Sequence, residues 1–280
     1  MSRTPFAPLF DRLVDDAAVF PPGNAALDVA VREHLDRRTT GHGPHVGPLL
    51  VPAASAAELV ALAAADGRPA TEPLAVSLVV RPGSPGEALA DAVGVLRDDE
   101  RVLVTAGEVG WSAGWRALLE LEVPLVVEVG TGAEQERALD DLAEAVDADH
   151  DVRAKFRTGP TPTWPWPDEA ALGAFLDAAV LRGLSFKLTG GLHHVVRGRY
   201  ESEPMHGLLN VLLAVHEALD GAEAPHLAAT LGRTDTEVLV GAVSSLGPDD
   251  AGRVRRAFSS YGCCGVLDPL HELEALGLVP

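Results

Sequence analysis

Residues 124–157 read PLVVEVGTGAEQERALDDLAEAVDADHDVRAKFR. Residues 124–129 form an apolar run broken only by Glu128, 133–145 read as a helix, and 152–157 return to strand character. A strand, a helix and a second strand within roughly 30 residues is the unit from which parallel sheets are built. The unit repeats in both directions. Upstream, strands are predicted over 46–51, 74–80 and 101–105, with helices over 55–65, 84–97 and 112–121. Downstream, a helix over 168–182 precedes a strand over 184–188 and a helix over 205–219.

Six such units point to an α/β protein, a (β/α)8 TIM-like barrel, with an open parallel sheet as the alternative. The last third is less regular. Helices are predicted over 225–231, 234–245 and 249–256, a final strand within 258–266 and a closing helix over 270–276. Near the start, Asp15-Asp16-Ala17-Ala18-Val19-Phe20-Pro21-Pro22 reads as a short extended piece halted by two prolines, followed by an amphipathic helix over 25–38. Residues 1–45 are therefore expected to be an irregular segment and a helix packed on the barrel, and 46–280 a single barrel domain. No glycine-rich fingerprint follows an early strand, so dinucleotide binding is not expected.

The 280 residues carry 22 Lys and Arg against 41 Asp and Glu, a net charge of −19. Such a surface repels nucleic acid and anionic membranes, and neither is expected as a partner. Residues 1–13 lack an apolar stretch of signal-peptide length, and no run approaches the ~18 residues of a membrane span. The only cysteines are the adjacent Cys263 and Cys264, which suggest no disulfide framework. A reducing cytoplasm is the expected compartment.

Only two of the 22 basic residues are lysines, Lys155 and Lys187. Both sit in short apolar runs that end in glycine: Ala154-Lys155-Phe156-Arg157-Thr158-Gly159 and Phe186-Lys187-Leu188-Thr189-Gly190-Gly191. Lysine can lose its proton when buried and attack a carbonyl, which arginine does not do at ordinary pH. Coding bias is the plainer explanation, but it leaves the shared context unexplained. Strand side chains alternate. Lys155 with Arg157, and Lys187 with Thr189, should therefore face the barrel interior near the C-terminal strand ends, where barrel active sites are built. One lysine would then depress the pKa of the other. Pairing with inward carboxylates such as Glu128 is the structural alternative.

The segment Gly190-Gly191-Leu192-His193-His194 follows the second lysine. Its glycines allow close backbone approach and could offer N–H groups to an anion. His193 and His194 are acid–base candidates, of which an extended segment would aim only one at the site. His206 and Asn210, four apart, share a helix face near the barrel mouth or else brace the preceding loop. One of Asp15 and Asp16 could enter the site, although a helix-capping or surface role is the plainer reading. Trp164 and Trp166 either cover it or anchor their loop. A nucleophilic role for Cys263 or Cys264 needs an adjacent base or cation, which the linear sequence does not supply.

Taken together, the segments Asp16–Pro22, Lys155–Gly159, Phe186–His194, His206–Val211 and Tyr261–Cys264 with Asp268-Pro269 resemble a family of uncharacterised bacterial proteins. The resemblance runs from about residue 10 to the end, more loosely over 225–257. It implies that these segments meet in space, and it supplies no activity.

These readings predict a small-molecule barrel enzyme, an aldolase-like lyase or an isomerase, acting on an anionic carbonyl compound. Lys155, Lys187, His193 and His206 are the candidate catalytic groups. Arg157, Thr189, Gly190, Gly191, His194 and Asn210 are the candidate binding groups. The expected partner is a small anionic metabolite, self-association is left open, and no cofactor is required. Two alternatives remain. One is a lyase or hydrolase using a divalent metal, held by His193, His206 and a carboxylate such as Asp16, Glu128 or Glu201. The other is a non-catalytic anion-binding protein.

Overall fold

A computed structural model describes residues 7–67, 71–80, 86–161 and 164–280. Among the described residues ten strands occur in chain order: β1 (Val14–Asp16), β2 (Val46–Pro52), β3 (Leu74–Val79), β4 (Val102–Gly110), β5 (Leu125–Glu128), β6 (Val152–Arg157), β7 (Phe186–Thr189), β8 (Gly198–Tyr200), β9 (Glu203–Met205) and β10 (Phe258–Cys263). Eight of them close a barrel in the order β1-β10-β7-β6-β5-β4-β3-β2, every neighbouring pair parallel. Helices lie between the strands along the chain. The chain is a (β/α)8 barrel, as its strand–helix alternation predicts, and not an open sheet.

The barrel starts earlier than the expected boundary at residue 46. Val14–Asp16 is its first strand, pairing with both β2 and β10. Three residues are too few to show a period, so the strand is hidden in the sequence. The two consecutive aspartates then face opposite ways. Asp15 enters the barrel. Asp16, fully buried, holds the helix Leu27–Arg38 against the outside: its Oδ2 accepts from Arg37 at 2.7 Å and lies 3.1 Å from His34 Nδ1.

Outward-facing apolar side chains seal the far side of the barrel. Phe156 of β6 stacks on Phe175 of the helix Glu169–Leu181 with ring centroids 4.7 Å apart. Phe175 meets Phe186 of β7 edge-on at 5.4 Å, and Phe186 stacks on Phe258 of β10 at 5.6 Å. Each ring is fully buried, contributing about 1.5–3 kcal/mol. Asp168 caps that helix by accepting the Ala171 N–H at 2.8 Å. Trp164 joins the group edge-on to Phe156, so it anchors its loop by packing. Residues 162 and 163 of this loop, and 84 and 85 of the predicted helix over 84–97, lie outside the described residues.

Two other elements differ from expectation. The segment predicted as a helix over 112–121 is a 3-10 helix, Trp115–Leu121. The helix predicted from residue 205 begins at Leu208, because Glu203–Met205 is claimed by a hairpin with Gly198–Tyr200. Four helices, Leu208–Leu219, Ala224–Leu231, Thr236–Ser244 and Pro248–Ala257, fill the irregular last third before β10.

At the C-terminal ends of β6 and β7 the backbones press together. A side chain at Gly159 would overlap the Gly190 carbonyl oxygen, and one at Gly191 would crowd Thr158. Gly190 also has φ +81°, a conformation glycine adopts without strain. Gly159→Ala should therefore destabilise the fold by about 3 kcal/mol, as over-packing against rigid backbone does. Urea unfolding measures it; an unchanged midpoint would contradict the close approach.

Candidate functional site

Lys155 and Lys187 are register partners on β6 and β7 and project into the barrel, as their alternation with Phe156 and Phe186 predicts. Both pair with inward carboxylates, Glu128 among them, which is the structural alternative that the sequence offers. Glu108 of β4 reaches between the two amines, with Oε1 2.6 Å from Lys187 Nζ and Oε2 3.0 Å from Lys155 Nζ. Lys187 also contacts Asp15 Oδ2 at 2.6 Å, and Lys155 contacts Glu128 Oε2 at 2.9 Å. Arg157 Nε donates to Glu128 Oε1 at 3.1 Å. Ser77 and Ser260 donate to Glu108 and Asp15 at 2.9 and 2.8 Å. Three cations and three carboxylates thus alternate in one chain across β1, β7, β4, β6 and β5.

This arrangement corrects the expected electrostatics. Burial alone would depress the pKa of each lysine. For Lys155 the carboxylates of Glu128 and Glu108 outweigh it, and for Lys187 those of Asp15 and Glu108 do, so both amines are raised. Neither is a free amine poised to attack a carbonyl. Burial pushes Glu108 up, but Lys187 and Lys155 overturn that and hold it at about 2. Glu128 is lowered in the same way by Lys155 and Arg157 against burial. Asp15 goes the other way: burial outweighs Lys187 and raises it. Its Oδ1 is buried with no partner among the described residues.

Solvent access grades along the barrel axis. The side chains of Glu108, Lys187 and Lys155 are 1%, 3% and 5% exposed, whereas those of Glu128 and Arg157, at the C-terminal strand ends, are 22% and 23% exposed. Arg157 has only its Nε engaged among the described residues, which leaves both terminal guanidinium nitrogens for an anion at the mouth. Thr189, its register partner, sits beside it. On the opposite, N-terminal side a cavity of about 220 Å³ reaches the same charged layer past Arg12, Arg153 and Ser259.

The remaining candidates separate into two groups. His193 lies at the mouth, where the loop after β7 meets the loop after β10. Its Nδ1 is 3.0 Å from Asp268 Oδ2 and 3.7 Å from Cys263 Sγ, and its Nε2 is 3.4 Å from Cys264 Sγ. Those hydrogen bonds, Cys263 first and then Cys264, push the imidazole up to about 11. The base or cation that the cysteines lacked in the sequence is thus 70 residues away along the chain.

His194, His206 and Asn210 do other work. His194 stacks face to face on Tyr200, and its Nδ1 lies 2.6 Å from Glu272 Oε1. It latches the loop to the helix Leu267–Ala275. His206 donates from Nε2 to the Pro167 carbonyl at 2.9 Å, and burial lowers its pKa. Asn210 is fully buried: it accepts from Arg197 N and donates to the Thr230 and Arg233 carbonyls. These three brace loops and do not face the mouth. The Gly190–Gly191 pair is likewise occupied by the Thr158–Gly159 backbone, and the Gly190 N–H points at Gly262 O at 3.4 Å.

The ligand set suggested for a metal is dispersed, with Asp16 bound to Arg37 and Glu128 to Lys155 and Arg157. Among the described residues no three His, Cys, Asp or Glu groups converge to hold a metal ion. No described helix is long and apolar enough to cross a membrane.

Glu108 was missed because strand β4 was expected to end at 105, whereas it runs to Gly110 with a register shift opposite Val76 and Ser77. Continuing the alternation through Glu108 and Gly110 was the available signal. No protein-family model, curated protein or solved structure matches the chain.

Glu108 makes the charged layer testable. Its pKa falls from 4.5 to about 2 on folding, so the unfolded chain takes up this proton first as pH drops. The stabilisation is complete above about pH 4.5 and is lost as pH falls towards about 2. Glu108→Gln should cost about 3–5 kcal/mol at neutral pH, because Lys187 and Lys155 each lose one of two carboxylate partners and the buried layer is left with an unmatched positive charge, and should remove that acid-sensitive component. Urea midpoints measured from neutral pH downwards read both effects.

Proposed function

We propose that the protein is a small-molecule enzyme acting at the C-terminal mouth of the barrel on an anionic carbonyl compound, as an isomerase or lyase working through an enolate. The observation that carries this reading is Arg157. It is a half-buried guanidinium with two unengaged nitrogens, set at the mouth directly above a layer of fixed buried charge. An arginine so placed suits a carboxylate or phosphate, because its planar fork can bind either bidentately.

The lysines act here as fixed cations and not as Schiff-base formers. Each is held charged by two carboxylates, a preorganised field that favours negative charge developing on a bound carbonyl oxygen. Burying ionised groups costs several kcal/mol each before pairing, so a barrel selected for stability alone gains little from such a layer. Strongly perturbed groups inside a barrel are what functional sites contain. His193, at the rim, supplies the proton transfer. Membership of the family that the sequence resembles is part of this proposal. The segments that carry the resemblance contribute Lys155, Arg157, Lys187, His193 and Cys264, all within the barrel or at its mouth.

The test is proton exchange. A panel of keto acids and phosphorylated aldehydes and ketones is incubated with the protein in D2O, and the α-protons are followed by NMR. Exchange of an α-proton is expected with at least one compound, reduced at least ~100-fold in Arg157→Gln through lost positioning. Thermal stabilisation by an anion without exchange would favour a binding protein instead. No exchange and no stabilisation across the panel would overturn both.

A further inference from the structure

The mouth holds a thiol that the enolate reading does not use, set against the imidazole that it does use. Cys264 is half-exposed, whereas Cys263 beside it is buried. Cys264 Sγ lies 3.4 Å from His193 Nε2, and the other ring nitrogen of His193 lies 3.0 Å from Asp268 Oδ2. Thiol, imidazole and carboxylate are therefore in line: Nε2 faces Cys264, and Nδ1 faces Asp268, with Cys263 Sγ farther off at 3.7 Å. This is the order in which a nucleophile, its base and the group that orients the base must stand.

The surroundings are built to keep that order. Gly265 has no side chain, and any Cβ there would run into the Asp268 carboxylate. Asp268 sits in the first turn of the helix Leu267–Ala275, and Cys264 lies just before that helix begins. One residue beyond His193, the clamp of Glu272 on His194 Nδ1 and on the Val195 N–H, at 2.6 and 2.8 Å, fixes the loop that carries the imidazole. Cys263 differs: its Sγ, although 3.7 Å from His193 Nδ1, donates to the Gly265 carbonyl at 3.3 Å, and burial raises its pKa. The other ionisable groups here are Glu272 and the buried phenol of Tyr261.

We infer that Cys264, His193 and Asp268 form a nucleophilic thiol site that adds to the carbonyl carbon of a substrate bound at the mouth. His193 takes the thiol proton. The sulfur forms a bond to the carbonyl carbon, and the C=O π pair moves to oxygen, which then receives the proton from His193. The product is a thiohemiacetal or thiohemiketal, with no net redox change and no co-reactant. The identity of the carbonyl compound rests on the reading above; the reactivity of the thiol does not.

The experiment therefore uses a carbonyl-independent probe. The full chain is reduced, freed of reductant and treated with iodoacetamide at a series of pH values, and each cysteine is quantified by mass spectrometry. Cys264 should be alkylated at about pH 6.5 within roughly threefold of its rate at about pH 9, as expected of a thiolate paired with imidazolium. Cys263 should stay unmodified in the folded protein and serve as the internal control. His193→Gln should slow Cys264 at the lower pH at least ~10-fold while changing the higher-pH rate little. Asp268→Asn, a substitution at an exposed side chain, should give a smaller loss in the same direction, and it remains informative if the His193 variant does not fold. A Cys264 rate that climbs steeply with pH and is indifferent to both substitutions would overturn the thiol site, whatever the α-proton experiment shows.

Discussion

Glu108 stands between Lys155 and Lys187, and the interior of this barrel depends on that bridge. Two ammonium groups on register-paired residues of neighbouring parallel strands would repel across a short gap in a medium that screens poorly. One carboxylate, from two strands further round, converts the repulsion into two attractions. Asp15 and Glu128 then close the sequence on either side, and Arg157 ends it at the mouth. Because each member touches the next, none can be removed without leaving a buried charge unmatched, which is far more costly than the pair is stabilising. The same linkage fixes register. A one-residue slip of β6 or β7 would turn a lysine outward into the ring stack of Phe156, Phe175, Phe186 and Phe258.

Inside and outside of the barrel therefore divide the labour. The outward face is apolar and aromatic, and supplies cohesion. The inward face is charged and supplies a fixed field, deepest at Glu108 and wettest at Arg157 and Glu128. A substrate at the C-terminal mouth would meet the open guanidinium first and the buried cations below it. The cavity on the N-terminal side touches the same layer from beneath, at the end of such barrels that more often serves stability.

The mouth itself is assembled from two loops far apart in sequence. The loop after β7 carries His193, while Cys263 ends β10 and Cys264 opens the loop after it; β7 and β10 are adjacent in the barrel, so these segments meet. The latch of His194 and Val195 onto Glu272 holds them together. His194 thus has a clear task one residue from the imidazole that faces the thiols. Adjacent histidines in an extended loop face opposite ways, and here each direction is used.

Much of the fold was legible along the chain. Strand–helix alternation, and the apolar–polar alternation of Lys155 and Lys187 with their phenylalanine neighbours, depend on local periodicity, and they specify a parallel barrel with inward lysines. Glu128 stood out as the one charge in an apolar strand. Three-residue β1, the continuation of β4 to Glu108 and the hairpin that delays the helix at Leu208 were not legible, because each depends on a partner strand and not on its own period. The site divides in the same way. By itself the sequence determined which groups could do chemistry and which face of each strand they occupy, since alternation is a property of the backbone. Only the tertiary structure decided what those groups are. It set carboxylates between the lysines and made them fixed cations, and it set His193 against Cys264. Charge state and reactivity are fixed by neighbours within a few ångströms, and barrel closure chooses those neighbours from strands and loops distant in the sequence.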